Sequence, residues 1–223
     1  MIHNISPIIY IGFVKLFDFI PVIKNNNYMR FLRKLHNIIL SFLSFIMLIG
    51  ITYGNYQANK FNSLNDLLCK KYNNNISLLS VKLFLYSKYL EWFDTLFLHL
   101  SGKQISTLQY THHMSTAILA YNNINYFISP HLVIFMSLNC LVHVFMYWYF
   151  AYPKGFLRPY RKLITISQIV QHIICITTSF YTYFILDDCE QNPLGQELGL
   201  TFYSMYLFYF LKFYINSYLK KNK

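Results

Sequence analysis

The chain has 223 residues, of which 55% are apolar and only 12% are charged, and its mean hydropathy is +0.32. Soluble domains carry about 25% charged residues, and one aqueous core of this size cannot hide so many apolar side chains. The aromatic content of 20% excludes a disordered chain. Since lipid is the remaining solvent, the composition predicts an all-α membrane protein, with residues 1–223 forming a single integral-membrane domain.

Seven stretches are apolar enough to be interpreted as spanning helices, which need about 20 residues each. In chain order they are residues 6–23, 36–54, 76–100, 104–122, 127–150, 162–186 and 198–218. The first stretch gives the weakest signal, because Lys15 and Asp18 interrupt it and a proline lies near each end. The first residues lack the basic region and the cleavage site of a signal peptide. We therefore expect a bundle of about seven transmembrane helices.

The basic residues behind the formal net charge of +11 lie mainly on one side of this bundle. Twelve of the 19 fall in the loops after the first, third and fifth spans or in the C-terminal tail. By the positive-inside rule, this distribution places the C-terminus in the cytosol and the N-terminus on the lumenal side. Because these residues are scattered over several loops, the charge does not indicate binding to nucleic acid.

Three short signals indicate the endoplasmic reticulum as the compartment. The tail at residues 220–223 is of the dilysine type that retrieves membrane proteins to the endoplasmic reticulum. Both glycosylation sequons, at Asn4 and Asn75, fall on the predicted lumenal side. Cys69 and Cys189 fall in two lumenal loops, where disulfides form, so we predict that they are bonded to each other.

One face of the third span carries four polar side chains. Lys88, Glu91, Asp94 and Thr95 follow at i, i+3, i+6 and i+7, which places them on the same side of a helix. Ionisable groups at membrane depth are costly and usually serve a function. The alternative is a salt-bridged stripe that only holds helices together. Burying three ionisable groups within seven residues for that purpose alone would cost much free energy of desolvation.

Each of the next three spans also has a polar face at helical spacing. These faces carry, in chain order, Gln109, His112 and His113; Asn139, His143, Met146, Tyr147 and Phe150; and Thr165, Gln168 and Gln171. A single histidine in a membrane helix is more often a packing residue than a catalyst. Four polar faces on neighbouring helices, however, would leave their polar groups unsatisfied anywhere except in a shared interior. We therefore expect one buried polar site within the bundle.

The four polar faces match the ordered motifs of a known family. The motif K-x-x-E-x-x-D-T is matched by Lys88, Glu91, Asp94 and Thr95. The motif N-x-x-x-H-x-x-M-Y-x-Y-Y is matched by Asn139, His143, Met146, Tyr147 and Tyr149, with Phe150 at the last tyrosine. The motif T-x-x-Q-x-x-Q is matched by Thr165, Gln168 and Gln171. The chain therefore resembles the ELO family of very-long-chain fatty acid elongases, the condensing enzymes of the endoplasmic reticulum. The similarity covers nearly the whole chain, including His36 and Asn37 in the second span. The H-x-x-H-H motif is matched only in part, because Gln109 stands where the family has its first histidine.

The resemblance implies a reaction and a set of residues for it. An acyl-CoA would condense with malonyl-CoA, releasing CO2 and CoA and leaving a 3-oxoacyl-CoA two carbons longer, with the acyl chain in a tunnel beside the site. His112 corresponds to the acylated histidine, and His143 would lie beside it. The other predicted catalytic residues are His113, Gln109, Lys88, Glu91, Asp94, Asn139, Tyr147, Gln168 and Gln171. The predicted substrate-binding residues are Thr95, Lys103, Lys154, Arg158, Arg161 and Lys162.

The resemblance also implies partners. It indicates no metal and no cofactor beyond the two CoA substrates. It places the protein in membrane lipid, together with the ketoreductase, dehydratase and enoyl reductase of the elongation cycle. It does not decide between a monomer and a homo-oligomer.

Two other classes of protein remain as alternatives. Membrane di-iron desaturases and hydroxylases need about eight ligand histidines in several motifs. The chain has eight histidines in all, but no H-x-x-x-H motif occurs and the one H-x-x-H-H candidate lacks a histidine. A seven-span receptor or transporter would explain the number of helices but not the clustered ionisable residues, and no internal repeat is visible.

Overall fold

The computed structural model describes residues 2–24, 26–58, 63–69, 74–125, 130–186, 189 and 192–220. All regular secondary structure in these ranges is helical, so the predicted all-α fold class is confirmed. The α-helices are α1 (Ser6–Lys15), α2 (Asn27–Ala58), α3 (Leu64–Cys69), α4 (Asn75–Leu90), α5 (Trp92–Leu100), α6 (Thr107–Asn125), α7 (Pro130–Ala151), α8 (Arg161–Phe184) and α9 (Pro193–Tyr214). Short 3-10 segments cover Ile2–Ile5, Leu16–Phe19 and Arg158–Tyr160, and a π-helical turn, Ile215–Leu219, continues α9.

Helices occur at all seven predicted positions, but they differ in length. Four stretches are long and apolar enough to cross a membrane by length and composition: Asn27–Gln57, Val133–Ala151, Arg158–Phe184 and Pro193–Leu219. The predicted first span is shorter than expected, since the ten residues of α1 rise only about 15 Å. The predicted third span is divided into α4 and α5 at Glu91. Within the described ranges four spans are supported, and the count of seven stays a prediction.

Six of the helices form a closed ring. Around the ring they follow in the order α2, α7, α8, α9, α6 and α4, and α4 in turn contacts α2. α5 continues the wall below α4, and α1 packs against α5 and α6 without forming part of the ring. The ring encloses an interior that is lined by residues of all four polar faces.

Small residues let α2 approach α4 closely. A Cβ added at Gly50 would collide with the Ser80 hydroxyl, and one added at Gly54 would lie 2.8 Å from the backbone nitrogen of Ser77. Membrane helices commonly associate through such small residues, because close backbone approach replaces the hydrophobic drive that lipid cannot supply. This contact fixes the position of α4, which carries Lys88.

The outer surface of the ring is apolar. Large exposed side chains include Phe42, Phe45 and Ile49 on α2, Phe145 and Trp148 on α7, Ile173 and Phe180 on α8, and Phe208 on α9. A soluble protein does not expose so continuous an apolar surface, whereas lipid requires one. The chain is therefore a multi-pass membrane protein.

The two ends of the ring are built differently. At one end, called the disulfide end here, Cys69 and Cys189 are bonded with their Cα atoms 4.6 Å apart, as the topology predicts. At the other, called the basic end, Nη1 of Arg33 donates to Oγ of Ser101 over 3.0 Å, beside the loop that carries Lys103. The direction of these ends relative to cytosol and lumen stays a prediction.

Candidate active site

A buried ion pair lies at the junction of α4 and α5. Nζ of Lys88 donates to Oε1 of Glu91 over 2.8 Å, and neither side chain is more than 3% exposed. The helix tightens at this point, because the Asp94 N–H donates to the Glu91 carbonyl only three residues back. A buried charge pair needs further hydrogen bonds to offset its lost hydration. Lys88 has one across the ring, to Oδ1 of Asn139 on α7 at 2.8 Å.

His143 extends this network along α7. Its Nε2 lies 3.2 Å from Nδ2 of Asn139, and its Nδ1 lies 3.4 Å from Oε1 of Glu91. An amide nitrogen can only donate, so Asn139 donates to an unprotonated Nε2, and the proton on Nδ1 faces the carboxylate. Both ring nitrogens are engaged, and the orientation of the His143 ring is fixed.

Asp94 is held from two other helices. Its Oδ1 lies 2.9 Å from Nε2 of His36 on α2, and its Oδ2 accepts from the Tyr147 hydroxyl of α7 over 2.8 Å. The two contacts tie α2, α5 and α7 together at one carboxylate. Asp94 therefore braces the site beside the Lys88–Glu91 pair.

Three further histidines face the same interior from α6 and α8. The rings of His112 and His172 both pack on Tyr206 of α9, with centroid distances of 4.9 and 5.5 Å. The Tyr206 hydroxyl lies 2.6 Å from Oγ of Ser115, which fixes the tyrosine between them. His113 meets its neighbour His112 edge-on at 5.4 Å. The ring nitrogens of His112 and His172 have no hydrogen-bond partner among the residues described.

Two connected cavities occupy the ring. The larger has a volume of about 500 Å³ and extends from Arg33 and Lys103 at the basic end to the buried polar residues. The smaller, about 50 Å³, continues toward the disulfide end between apolar side chains: Phe84, Leu119, Phe135, Met136, Cys175 and Tyr203. The two cavities share the side chains of His112, Asn139, Gln171 and His172. These four residues form the neck, where the larger cavity, which holds most of the ionisable side chains, meets the smaller one, whose far side is apolar.

The structure brings all eleven predicted catalytic residues to these cavities. Lys88 lines the smaller one, and the other ten line the larger one: Glu91, Asp94, Gln109, His112, His113, Asn139, His143, Tyr147, Gln168 and Gln171. Gln168 is held by Met146, whose Sδ lies 3.3 Å from its Nε2. The roles of these residues stay predictions, but their convergence on one interior is a feature of the fold.

The predicted substrate-binding residues are divided. Lys103 lines the larger cavity. Thr95 does not line either cavity; it is fully buried and its Oγ1 lies 3.0 Å from the Tyr10 hydroxyl of α1, so it anchors that helix. The four other basic residues are exposed and lie outside both cavity walls: Lys154, Arg158, Arg161 and Lys162.

Some residues of the site were not predicted from the sequence. Arg33 had been assigned only to membrane orientation, yet it lines the cavity at its basic end. His172 lies outside the motif of its helix, but it is at i+7 from Thr165 and i+4 from Gln168, so helical spacing places it on the same face. Tyr206 belongs to an aromatic span without periodic polar signal, and no spacing rule indicates that it faces the cavities.

The walls are suited to an anionic ligand with an apolar tail. Arg33 and Lys103 supply positive charge at the basic end, while the far end of the interior is apolar. In the described part of the chain, no group of three or more His, Cys, Asp or Glu side chains could hold a metal ion.

Comparison with known proteins gives one consistent family. The model of the GNS1/SUR4 family (ELO) matches residues 2–223. Fatty acid elongase 2 of Trypanosoma brucei brucei is 32% identical over 155 residues, covering 64% of this chain and 57% of the relative. Fatty acid elongase A of Dictyostelium discoideum is 27% identical over 197 residues, covering 84% and 72%. Fatty acid elongase 3 of Trypanosoma cruzi is 33% identical over 147 residues, covering 62% and 49%, so the chain spans about half to three quarters of these relatives.

Proposed function

The chain belongs to the GNS1/SUR4 (ELO) family, and we propose that it is the condensing enzyme of a fatty acid elongation cycle. In this proposal an acyl-CoA and malonyl-CoA give a 3-oxoacyl-CoA two carbons longer, with release of CO2 and CoA. The proposal makes the protein an acyltransferase, a 3-oxoacyl-CoA synthase. The names of its relatives support a role in fatty acid elongation, and the residues of the site supply the chemistry.

The observation that carries the proposal is the neck between the two cavities. An acyl chain would bind in the smaller cavity, beside Phe84 and Phe135. The CoA part of the thioester would lie in the larger cavity, which opens toward Arg33 and Lys103. The thioester carbonyl would then lie at the neck, between the two. The CoA phosphates would then face Arg33 and Lys103, since cationic side chains bind phosphate. Of the five basic residues suggested by the sequence, only Lys103 lines the cavity, and Arg33 lies there with it. A role in phosphate binding for the other four stays a prediction.

His112 is the nucleophile in this proposal. It lies at the neck, and its ring nitrogens have no partner among the described residues, so a neutral imidazole is free to attack the thioester carbon. A bond forms between the imidazole nitrogen and the carbonyl carbon, the carbon–sulfur bond breaks, and CoA leaves with the proton released by the imidazole. The product is an acyl-imidazole.

The second half-reaction joins this acyl group to malonyl-CoA. Loss of CO2 from malonyl-CoA leaves an enolate, whose carbon attacks the carbonyl carbon of the acyl-imidazole. The carbon–nitrogen bond then breaks, and the departing imidazole takes up a proton from water, which regenerates His112. The enolate oxygen needs preorganised donors, and Gln168 and Gln171 of α8 line the larger cavity, in which it would form. The Lys88–Glu91–Asn139 network holds His143 in one orientation beside the reacting groups.

Product analysis tests the proposal. Membranes that contain the protein are supplied with a panel of acyl-CoAs and isotopically labelled malonyl-CoA, and the products are identified by mass spectrometry. We expect labelled 3-oxoacyl-CoAs two carbons longer than the acyl donor, and none from the His112→Ala variant. Uptake of substrate without such products would favour a transporter, and stoichiometric iron in the purified protein would favour an oxygenase.

We further propose the endoplasmic reticulum membrane as the location, with the C-terminus cytosolic and the N-terminus lumenal. The basic end would then meet cytosolic CoA substrates, and the disulfide end would lie in an oxidising lumen. The ketoreductase, dehydratase and enoyl reductase that complete an elongation cycle would act on the product at the same membrane.

A further inference from the structure

His172 lies at the neck but belongs to none of the motifs that led to the site. It follows Gln171 on α8, is 3% exposed, and lines both cavities. Its ring packs on Tyr206 at 5.5 Å and on Phe210 at 5.2 Å, which fixes its plane. A buried histidine in an apolar helix is commonly a packing residue, so its hydrogen bonding decides between packing and catalysis.

The hydrogen bonds divide the histidines of the site into two groups. His143 is engaged at both ring nitrogens, by Asn139 and Glu91, and His36 is engaged by Asp94. The ring nitrogens of His112, His113 and His172 have no hydrogen-bond partner in the described part of the chain, and of these three residues His112 and His172 lie at the neck. They approach the same tyrosine, Tyr206, from two different helices. Two imidazoles are therefore available to a substrate at one place.

The two nitrogens of His172 are not equivalent. Nδ1 is buried without a partner, which leaves Nε2 as the nitrogen that meets the cavities. A neutral imidazole carries its proton on one nitrogen only, and a proton on the buried Nδ1 would have no acceptor. With the proton on Nε2, the side chain is a hydrogen-bond donor directed at the neck.

We propose that His172 is a further catalytic residue, whose Nε2–H donates to the carbonyl oxygen of the acyl thioester while His112 attacks the carbonyl carbon. This inference rests on the proposed function. Negative charge develops on that oxygen when the nitrogen–carbon bond forms, and a preorganised donor in a dry site stabilises it strongly. When the carbon–sulfur bond breaks, the carbonyl is restored and CoA leaves as the thiol. His172 keeps its proton throughout.

Three substitutions separate this role from packing. In His172→Gln the amide nitrogen can take the place of Nε2, in His172→Asn it can take only the place of Nδ1, and His172→Phe keeps a ring without a donor. The measurement is the rate of CoA release in a single turnover with an acyl-CoA alone, followed over a range of acyl-CoA concentrations on protein purified in detergent. The melting temperature of each variant serves as the folding control.

We expect Asn and Phe at position 172 to lower the maximal single-turnover rate constant about 100- to 1,000-fold, as loss of one oxyanion donor does, with little change in the acyl-CoA concentration that gives half of it. The Gln variant should retain activity within about tenfold of the unmodified protein, which a packing role would not predict. Equal rates for all three folded variants would overturn the inference alone. Absence of CoA release from the unmodified protein would overturn the proposed acyl transfer, and the inference with it.

Discussion

Lys88 and Glu91 illustrate how a charged pair can lie within a membrane protein. Each side chain is almost fully removed from solvent, and the two are joined at 2.8 Å. Isolated, either charge would be prohibitively costly at this depth, but together with Asn139 they satisfy one another. The remaining Oε2 of Glu91 has no partner in the described structure, so the pair is not fully compensated.

Removing the charge of Glu91 alone should therefore destabilise the protein more than removing both charges. Glu91→Gln leaves Lys88 as an uncompensated buried cation, and breaking a buried pair typically costs about 3–5 kcal/mol. The double variant Lys88→Met, Glu91→Gln removes that cation and should recover much of the loss. The melting temperature of the substrate-free protein in detergent measures both effects. A single variant as stable as the unmodified protein would show that the two side chains are not ionised.

At this scale the sequence predicted which side chains meet, because residues on one face of a helix can be found by counting. Lys88, Glu91 and Asp94 lie where the i, i+3 rule places them, although the helix tightens between them. His172 has the right spacing, at i+7 from Thr165, and was missed because it belongs to none of the motifs. Tyr206 was missed because its position depends on how α9 is rotated against α6 and α8, which no spacing within one helix reveals. Thr95 was included because it shares the face of Asp94 in the pattern, but it packs against Tyr10.

Helix pairs show a second limit of the sequence. Periodicity predicted one continuous span over residues 76–100, whereas the structure has α4 and α5 joined at Glu91. The contact between α2 and α4 depends on Gly50 and Gly54, and nothing in the hydropathy of either helix identifies its partner.

The α2–α4 contact gives a prediction at this scale. Gly54→Ala places a methyl group 2.8 Å from the backbone nitrogen of Ser77, which must move, and overpacking of this kind costs about 1–3 kcal/mol. Gly12→Ala is the matched control, because a Cβ at Gly12 of α1 would have no neighbour within 4 Å. We expect a lower melting temperature for the first variant and none of that loss for the second. Equal melting temperatures would mean that α2 and α4 are not in close contact.

The whole molecule is a ring whose order does not follow the chain. α2 pairs with α7 and α4, and α6 pairs with α9, so the neighbours are set by packing between segments far apart in sequence. The sequence could indicate that four polar faces share an interior, but not which helices enclose it. The disulfide was accessible to prediction for a simpler reason: only two cysteines fall in loops on the same predicted side.

The disulfide joins two loops across one end of this ring. Its loss should lower stability, since it closes a sequence separation of 120 residues, and such bonds typically contribute about 2–4 kcal/mol. We expect Cys69→Ser to lower the melting temperature while CoA release by the remaining folded protein is preserved, because the neck lies away from that end. Cys140→Ser is the control, as Cys140 is a free thiol that lines neither cavity. An unchanged thiol count in denatured protein with and without reductant would contradict the bond.

The central claim is that His112 carries the acyl group between two half-reactions. Its most direct test is the intact mass of the purified protein after incubation with an acyl-CoA alone, followed by mapping of the modified peptide. We predict a mass increase equal to one acyl group on His112, accompanied by free CoA and removed on addition of malonyl-CoA, and absent from His112→Ala. Release of CoA only after malonyl-CoA is added, with no acylated protein at any time, would contradict it.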